Sequence, residues 1–386
     1  VHASGVVNAV WVHSSVDKPR DCNDRSPRRA PCKPVTRIAF LKVHKAGSST
    51  VASLFQRYGI THNLNFVIPR KRLHAFGYNY FGQFGDSLST SNVLPVPDGQ
   101  SYDVLWNHVV YNQTAFRSLL PNDTVYVTIV REPFDQFVSA FDYFGMYTTN
   151  YVQSALKIEI PNPVSDYLKN PTQYEPANVV MSRVRNKQSY DLGMTRKEIL
   201  NPILRSRYIA QLDNDFRLVM IMDHFDESIV LLRRKLCWSH KDVLYFRKNV
   251  NPYHRKRFFH NSDYNSHRQI SQSDYQLYDY FHKAFWEAVW KEGPGFFEEV
   301  KYFKKLLKKS LDYCLTGRVL YVPRTKWSAG FVVDEDDCNL LSLTELQFLD
   351  KIVQYSAEKI YKQYVAKMAS STIYMTKQLP RKGKVT

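Results

Sequence analysis

The chain has 386 residues, 44% of them hydrophobic and 14% aromatic, enough for one large domain or two small ones around a sizeable core. Lys and Arg number 53 against 36 Asp and Glu, giving +17, a balance that favours anionic partners such as nucleic acid, phosphate-bearing small molecules or an anionic membrane. The charge is scattered and comes with no RNP, zinc-finger or helix-turn-helix signature, which argues against nucleic acid, and no stretch approaches the ~20 apolar residues of a membrane span.

Residues 1–36 are rich in Pro, Arg, Asp and Ser and read as a stem or linker. Ile38–Leu41 is a short apolar run fit for a buried strand. A tight polar segment follows, then Val51, Leu54, Phe55 and Tyr58 at helical spacing, the start of a parallel α/β unit. Val104–Trp106 reads as a second strand ending in Asn107-His108, and Val125–Val130 as a stronger third. Pro133 suits the first turn of a helix with Phe134, Phe137, Val138 and Phe141 as its apolar stripe. Leu218–Met222 reads as a fourth strand, followed by a helix carrying Ile229, Leu232 and Leu236, with His224 helping to cap it. Val243–Phe246 reads as a further strand.

Beyond residue 274 the pattern is helical. One stripe is Leu277, Phe281, Phe285 and Val289, and another is Val300, Phe303, Leu307, Leu311 and Cys314. Lys301, Lys304, Lys305, Lys308 and Lys309 lie on one solvated helical face. A last helix opens on Ser342-Leu-Thr-Glu345, which fits a capping box, and buries Leu349, Ile352 and Ile360. The main domain therefore spans 37–365, helix-rich from about 274, and 366–386 is a basic tail.

The five cysteines, Cys22, Cys32, Cys237, Cys314 and Cys338, include no C-x-x-C pair, which argues against a zinc or redox site. An odd count leaves at least one thiol free or paired elsewhere. Asn112-Gln-Thr114 and Asn122-Asp-Thr124 are N-glycosylation sequons. Sequons together with a disulfide lean towards the secretory lumen.

Two segments carry chemistry. Phe40-Leu-Lys-Val-His-Lys-Ala-Gly-Ser-Ser-Thr50 lies between a strand and a helix. Backbone N–H groups at the helix start, the permissive Gly47, the hydroxyls of Ser48, Ser49 and Thr50, and Lys45 beside Ala46 make an anion cradle. It is not a Walker motif, because the lysine precedes the glycine and no Lys-Ser/Thr pair for Mg²⁺ follows; no metal is expected. The second segment is Thr128-Ile-Val-Arg-Glu-Pro-Phe-Asp-Gln-Phe-Val-Ser139. Arg131 at a strand's carboxyl end and Ser139 about two turns into the next helix would hold a second phosphate.

The pair resembles the 5′-phosphosulfate loop and the 3′-phosphate site of sulfotransferases. Phe40–Thr50, Asn107-His108, Arg131–Tyr143 and Phe216–Leu236 resemble, more closely, the galactose-3-O-sulfotransferase family, in order over roughly residues 35–365. The resemblance implies a P-loop-NTPase-like α/β fold with a central parallel sheet flanked by helices and a helical C-terminal part. It implies 3′-phosphoadenosine 5′-phosphosulfate as donor, and as acceptor the 3-hydroxyl of a terminal β-galactose on a glycolipid or glycan. It also implies a Golgi-lumenal type II membrane protein, its N-terminal anchor lying outside this sequence, and a homodimer is compatible with it. Val43 and Ala46 depart from the family by standing where Thr is usual, and Trp327–Asp334 matches its late glycine–tyrosine loop loosely.

In that chemistry Lys45 would neutralise the leaving phosphate and Lys42 the sulfuryl oxygens. His44, inside the cradle, is the first choice for the base that takes the acceptor's proton, an unperturbed imidazole having a pKa of ~6.5. His108 is a sugar ligand or second base. The acceptor site would draw on Phe66, His74, Phe76, Tyr78, Tyr80, Tyr143 and Phe144. Competing readings are a glycosaminoglycan-type sulfotransferase, a P-loop kinase or NTPase, and a non-catalytic basic glycan-binding module.

Overall fold

Four short parallel strands carry the centre of the structure, a computed structural model that describes residues 32–70, 81, 87–144, 162–175, 182–248, 258–317 and 319–378, with side chains to residue 369. They are β1 (Ile38–Leu41), β2 (Val104–Leu105), β3 (Val125–Val130) and β4 (Phe216–Ile221), in the order β2-β1-β3-β4. Every pairing is parallel, with Ile38 beside both Val104 and Val125, and Val130 beside Ile221. Helices cover both faces, which is why β1 is buried at all four residues and reads as an unbroken apolar run.

The helices run α1 (Ser48–Thr61), α2 (Gln113–Leu119), α3 (Pro133–Phe144), α4 (Pro163–Lys169), α5 (Pro171–Tyr174), α6 (Lys187–Asp191), α7 (Arg196–Leu200) and α8 (Pro202–Asp215). After β4 come α9 (Phe225–Leu236), α10 (Asn261–Ile270), α11 (Gln272–Trp290) and α12 (Gly295–Thr316). An antiparallel pair, β5 (Leu320–Val322) and β6 (Phe331–Val333), precedes α13 (Glu335–Ser342) and α14 (Glu345–Gln378). The α/β architecture expected from the sequence is present, with the helical part after β4. The chain steps from β1 outward to β2, then back across to β3 and β4. The carboxyl ends of β1 and β3 therefore flank the point where strand order reverses, and the crevice of an open α/β sheet lies there.

Helix α1 packs Val51, Leu54, Phe55 and Tyr58 into the core as their spacing predicts. It is buried nearly all round, because α14 lies against it. On α3, Phe134, Phe137 and Phe141 join a second cluster with Tyr167 of α4, and Phe137 stacks on His267 of α10 at 4.4 Å.

Several expectations are corrected. Val243–Phe246 is not a strand. Arg57 of α1 donates to the carbonyls of Lys241 at 2.9 Å, Asp242 at 2.7 Å and Leu244 at 2.6 Å, so a guanidinium takes the place of a neighbouring strand. On α12 the buried stripe continues through Leu306, Ser310 and Tyr313 rather than Leu307 and Leu311. Buried Glu299 fixes that rotation by pairing with Arg233 and Arg234 of α9. Thr344 with Gln347, not Ser342 with Glu345, caps α14; Ser342 ends α13. Leu349 and Ile352 are buried, but Ile360 is 37% exposed. His224 sits at the start of α9 without a side-chain cap bond, its ring nitrogen 3.4 Å from that of His282. Cys314 is bonded to Cys338.

Removing Arg57 leaves three carbonyls without their donor, and charged hydrogen bonds are each worth ~1.5–3 kcal/mol. Arg57→Leu is expected to lower unfolding free energy in urea by about 3 kcal/mol, with Arg57→Lys restoring only part because an ammonium lacks the planar fork. A loss below about 1 kcal/mol would show that segment 241–248 is held by other contacts.

Candidate active site

The loop from Lys42 to Gly47 bends through two left-handed residues, Lys45 at φ 60° and Gly47 at φ 71°. Gly47 is pressed against the end of β4, where an added Cβ would come 2.2 Å from Met222 Sδ. The left-handed conformation favours glycine here, and a Cβ would in addition push aside the flexible end of the Met222 side chain. Gly47 is also the residue preceding α1, and no side chain caps that helix. The first amides of α1 thus face the loop, which fits an anionic group at the helix start.

The hydroxyls expected to line the cradle already have protein partners. Ser48 Oγ donates to Val43 O at 2.6 Å, Thr50 Oγ1 accepts from Lys248 N at 2.9 Å, and Ser49 Oγ donates to Glu345 Oε2 at 2.9 Å. Glu345 Oε1 pairs with Lys42, which is buried. Ala46, within the loop, is fully buried. Lys45 turns its ammonium over the Tyr143 ring, 4.0 Å from the centroid. Burial, then the neighbouring Arg131, lowers its pKa to about 8.

His44 is held by one carboxylate at two points. Asp191 Oδ2 accepts the His44 backbone N–H at 2.8 Å and its Nδ1 at 2.7 Å, while Asp191 Oδ1 accepts Lys187 Nζ at 2.6 Å. A carboxylate facing Nδ1 requires the proton to sit there, so Nε2 is the basic nitrogen of the neutral ring. His108 stacks on His44 with centroids 3.9 Å apart, and its Nδ1 donates to Lys42 O at 2.8 Å. The same logic makes Nε2 basic in both rings.

Burial is the main cause that lowers His44 to about 4, and Lys187 and Lys42 push the same way against Asp191. Burial, then His44 and Lys42, holds His108 well below its ordinary value. Burial raises Asp191, but His44 and Lys187 outweigh it and keep it ionised. Desolvation, more than the neighbouring cations, is what keeps the His44 imidazole neutral.

Arg131 follows β3 and reaches the loop, NH1 lying 3.5 Å from Lys45 O and NH2 3.6 Å from Asp135. Gln188 clamps its main chain, accepting Arg131 N at 2.8 Å and donating to Arg131 O at 2.9 Å. Gln136 of α3 donates to His44 O at 2.9 Å. Ser139 lies farther along α3 and is half-buried. Phe144 packs 5.8 Å from His44, whereas Phe66 is buried under Gly59. His74, Phe76, Tyr78 and Tyr80 fall outside the described residues.

The structure thus brings Lys42, His44, Lys45, His108 and Arg131 together at the strand-order reversal. Asp191, Lys187, Gln136, Gln188 and Glu345 join them without having been expected. Lys187 and Asp191 are four apart on a five-residue helix too short to show a period, and a capping role was assigned to Glu345. Among the described residues no group of three or more His, Cys, Asp or Glu is arranged to hold a metal ion. A neutral imidazole of fixed tautomer, beside an amide-lined loop with Lys45 and Arg131, can accept a proton from a hydroxyl next to a bound anion.

A family model described as galactose-3-O-sulfotransferase matches residues 2–329. Galactose-3-O-sulfotransferase 2 of Mus musculus is 29% identical over 288 residues, 73% of this chain and 70% of the relative. Galactosylceramide sulfotransferase of Homo sapiens is 30% identical over 259 residues, 67% of this chain and 59% of the relative. Galactose-3-O-sulfotransferase 3 of Mus musculus is 31% identical over 316 residues, 77% and 69% respectively. The chain therefore spans less than two thirds of the length of the human galactosylceramide sulfotransferase it matches.

The site makes a prediction about stability. The folded chain keeps His44 neutral down to about pH 4, whereas an unfolded imidazole protonates near 6.5. In that window the unfolded chain binds the extra proton, so stability falls as pH drops from about 6.5 to about 4 and this contribution levels off below. His44→Gln should flatten the slope of unfolding free energy against pH by about one proton. An unchanged slope would mean that His44 titrates normally in the folded chain.

Proposed function

The chain belongs to the galactose-3-O-sulfotransferase family, and from that premise we propose that it moves a sulfuryl group from 3′-phosphoadenosine 5′-phosphosulfate to the 3-hydroxyl of a terminal β-galactose on a glycolipid or glycoprotein glycan. The observation that supports this most is the His44 ring, set beside the loop before α1 with its Nδ1 on Asp191. In the proposed reaction the acceptor oxygen attacks sulfur and its proton passes to His44 Nε2. The bond between sulfur and the 5′-phosphate oxygen breaks, and the bisphosphate leaves with that electron pair. The α1 amides and Lys45 take the growing charge on the 5′-phosphate, Arg131 and Ser139 take the 3′-phosphate, and Lys42 serves the sulfuryl oxygens. His108 orients the sugar from the parallel ring face. We place the enzyme at the Golgi membrane with this part in the lumen; the Cys314–Cys338 bond and two sequons support an oxidising compartment.

The direct test is a sulfation assay with labelled donor across galactosylceramide, lactosylceramide and N-acetyllactosamine glycans. Label on a galactose 3-hydroxyl is the expected product; label on glycosaminoglycan chains alone would overturn the acceptor assignment. The product bisphosphate should raise the melting temperature much more than ATP does, since a ligand that binds only the folded state stabilises it by mass action. Arg131→Ala should weaken bisphosphate binding by ~1.5–3 kcal/mol with the fold intact. Asp191→Asn should lower kcat by about 10²-fold or more, because His44 loses the carboxylate that fixes its tautomer, while bisphosphate affinity stays near normal. Near-normal kcat in that variant would remove the His44–Asp191 pair from the chemistry.

A further inference from the structure

Glu345 is the first residue of α14 and lies beyond residue 329, where the family match ends. Its carboxylate reaches into the loop, Oε1 on Lys42 and Oε2 accepting Ser49 Oγ at 2.9 Å. The Lys42 side chain is 2% exposed and that of Glu345 10%, so this pair is desolvated. It also sits at the first turn of α1, where aligned amides favour a negative charge. The chain has thus placed an anion of its own on two groups that the donor reading assigns to the donor.

A polyanionic donor and this carboxylate cannot both use that space at low cost. Like charges a few ångströms apart repel strongly where water is excluded. The carboxylate is also the more easily moved partner. It stands at the very start of a helix, entered through extended Leu343 and capped by Thr344 and Gln347, and helix ends open more readily than helix middles.

Resting on the donor reading above, we propose that Glu345 is a positioning residue for the donor. It holds Lys42 and Ser49 in place and yields them to the donor's sulfuryl and phosphate oxygens as the first turn of α14 lifts. Donor binding is thereby coupled to the start of the last helix.

The test is calorimetric titration of 3′-phosphoadenosine 5′-phosphate into the parent chain and into Glu345→Gln, with hydrogen exchange of the parent's amides 343–349 with and without that ligand. The variant should bind roughly tenfold more tightly, although less heat-stable without ligand, because the competing charge is gone. In the parent, exchange at 343–349 should speed up on saturation. A merely structural ion pair gives the opposite: binding in the variant unchanged or weaker, and exchange unchanged or slower. Either result, with the parent binding normally, overturns the proposal. If the variant does not fold, exchange in the parent decides alone. Failure of the parent to bind the bisphosphate removes the donor reading itself, and this inference with it.

Discussion

The buried carboxylate of Asp191 is the interaction on which the site depends. It accepts the main chain and the ring of His44 on one oxygen and Lys187 on the other. The first bond shapes the loop, the second sets the tautomer, and the third keeps the acid ionised where burial favours neutrality. A layer behind it, Asp274 accepts Ser189 N at 2.8 Å and Ser189 Oγ at 2.6 Å, and Gln188 from the same helix locks Arg131. Burial raises Asp274 to about 6 despite those donors. One five-residue helix, α6, therefore joins the loop after β1 to the residue after β3.

Much of this was legible in the sequence where chemistry is local. Strand β1, the glycine before α1, Arg131 at the end of β3 and the stripe of α3 each follow from a few adjacent residues. What was not legible is what long-range pairing decides. Segment 243–246 has the composition of a strand, but Arg57, nearly two hundred residues earlier, takes the carbonyl of Leu244 and those of Lys241 and Asp242 just before it. The rotation of α12 depends on a buried glutamate meeting two arginines of α9. Asp191 carries no motif and Glu345 only that of a helix cap; they matter to the site because the fold returns distant segments to the loop.

The sheet explains why such returns converge. Strand order reverses between β1 and β3, so the chain leaves that edge of the sheet in two directions and leaves a crevice between them. The loop, Arg131 and α6 meet there, and α14 arrives from outside along α1. Each brings polar groups to a region where Phe40, Val43 and Val130 are fully buried.

The two parallel imidazoles bear on how often such a site can be used. Charging both rings 3.9 Å apart would be costly, since burial, then His44 and Lys42, already lowers His108. In the proposed role the stack would therefore hold one proton at a time, and a proton taken from one acceptor would have to leave before the next could be received.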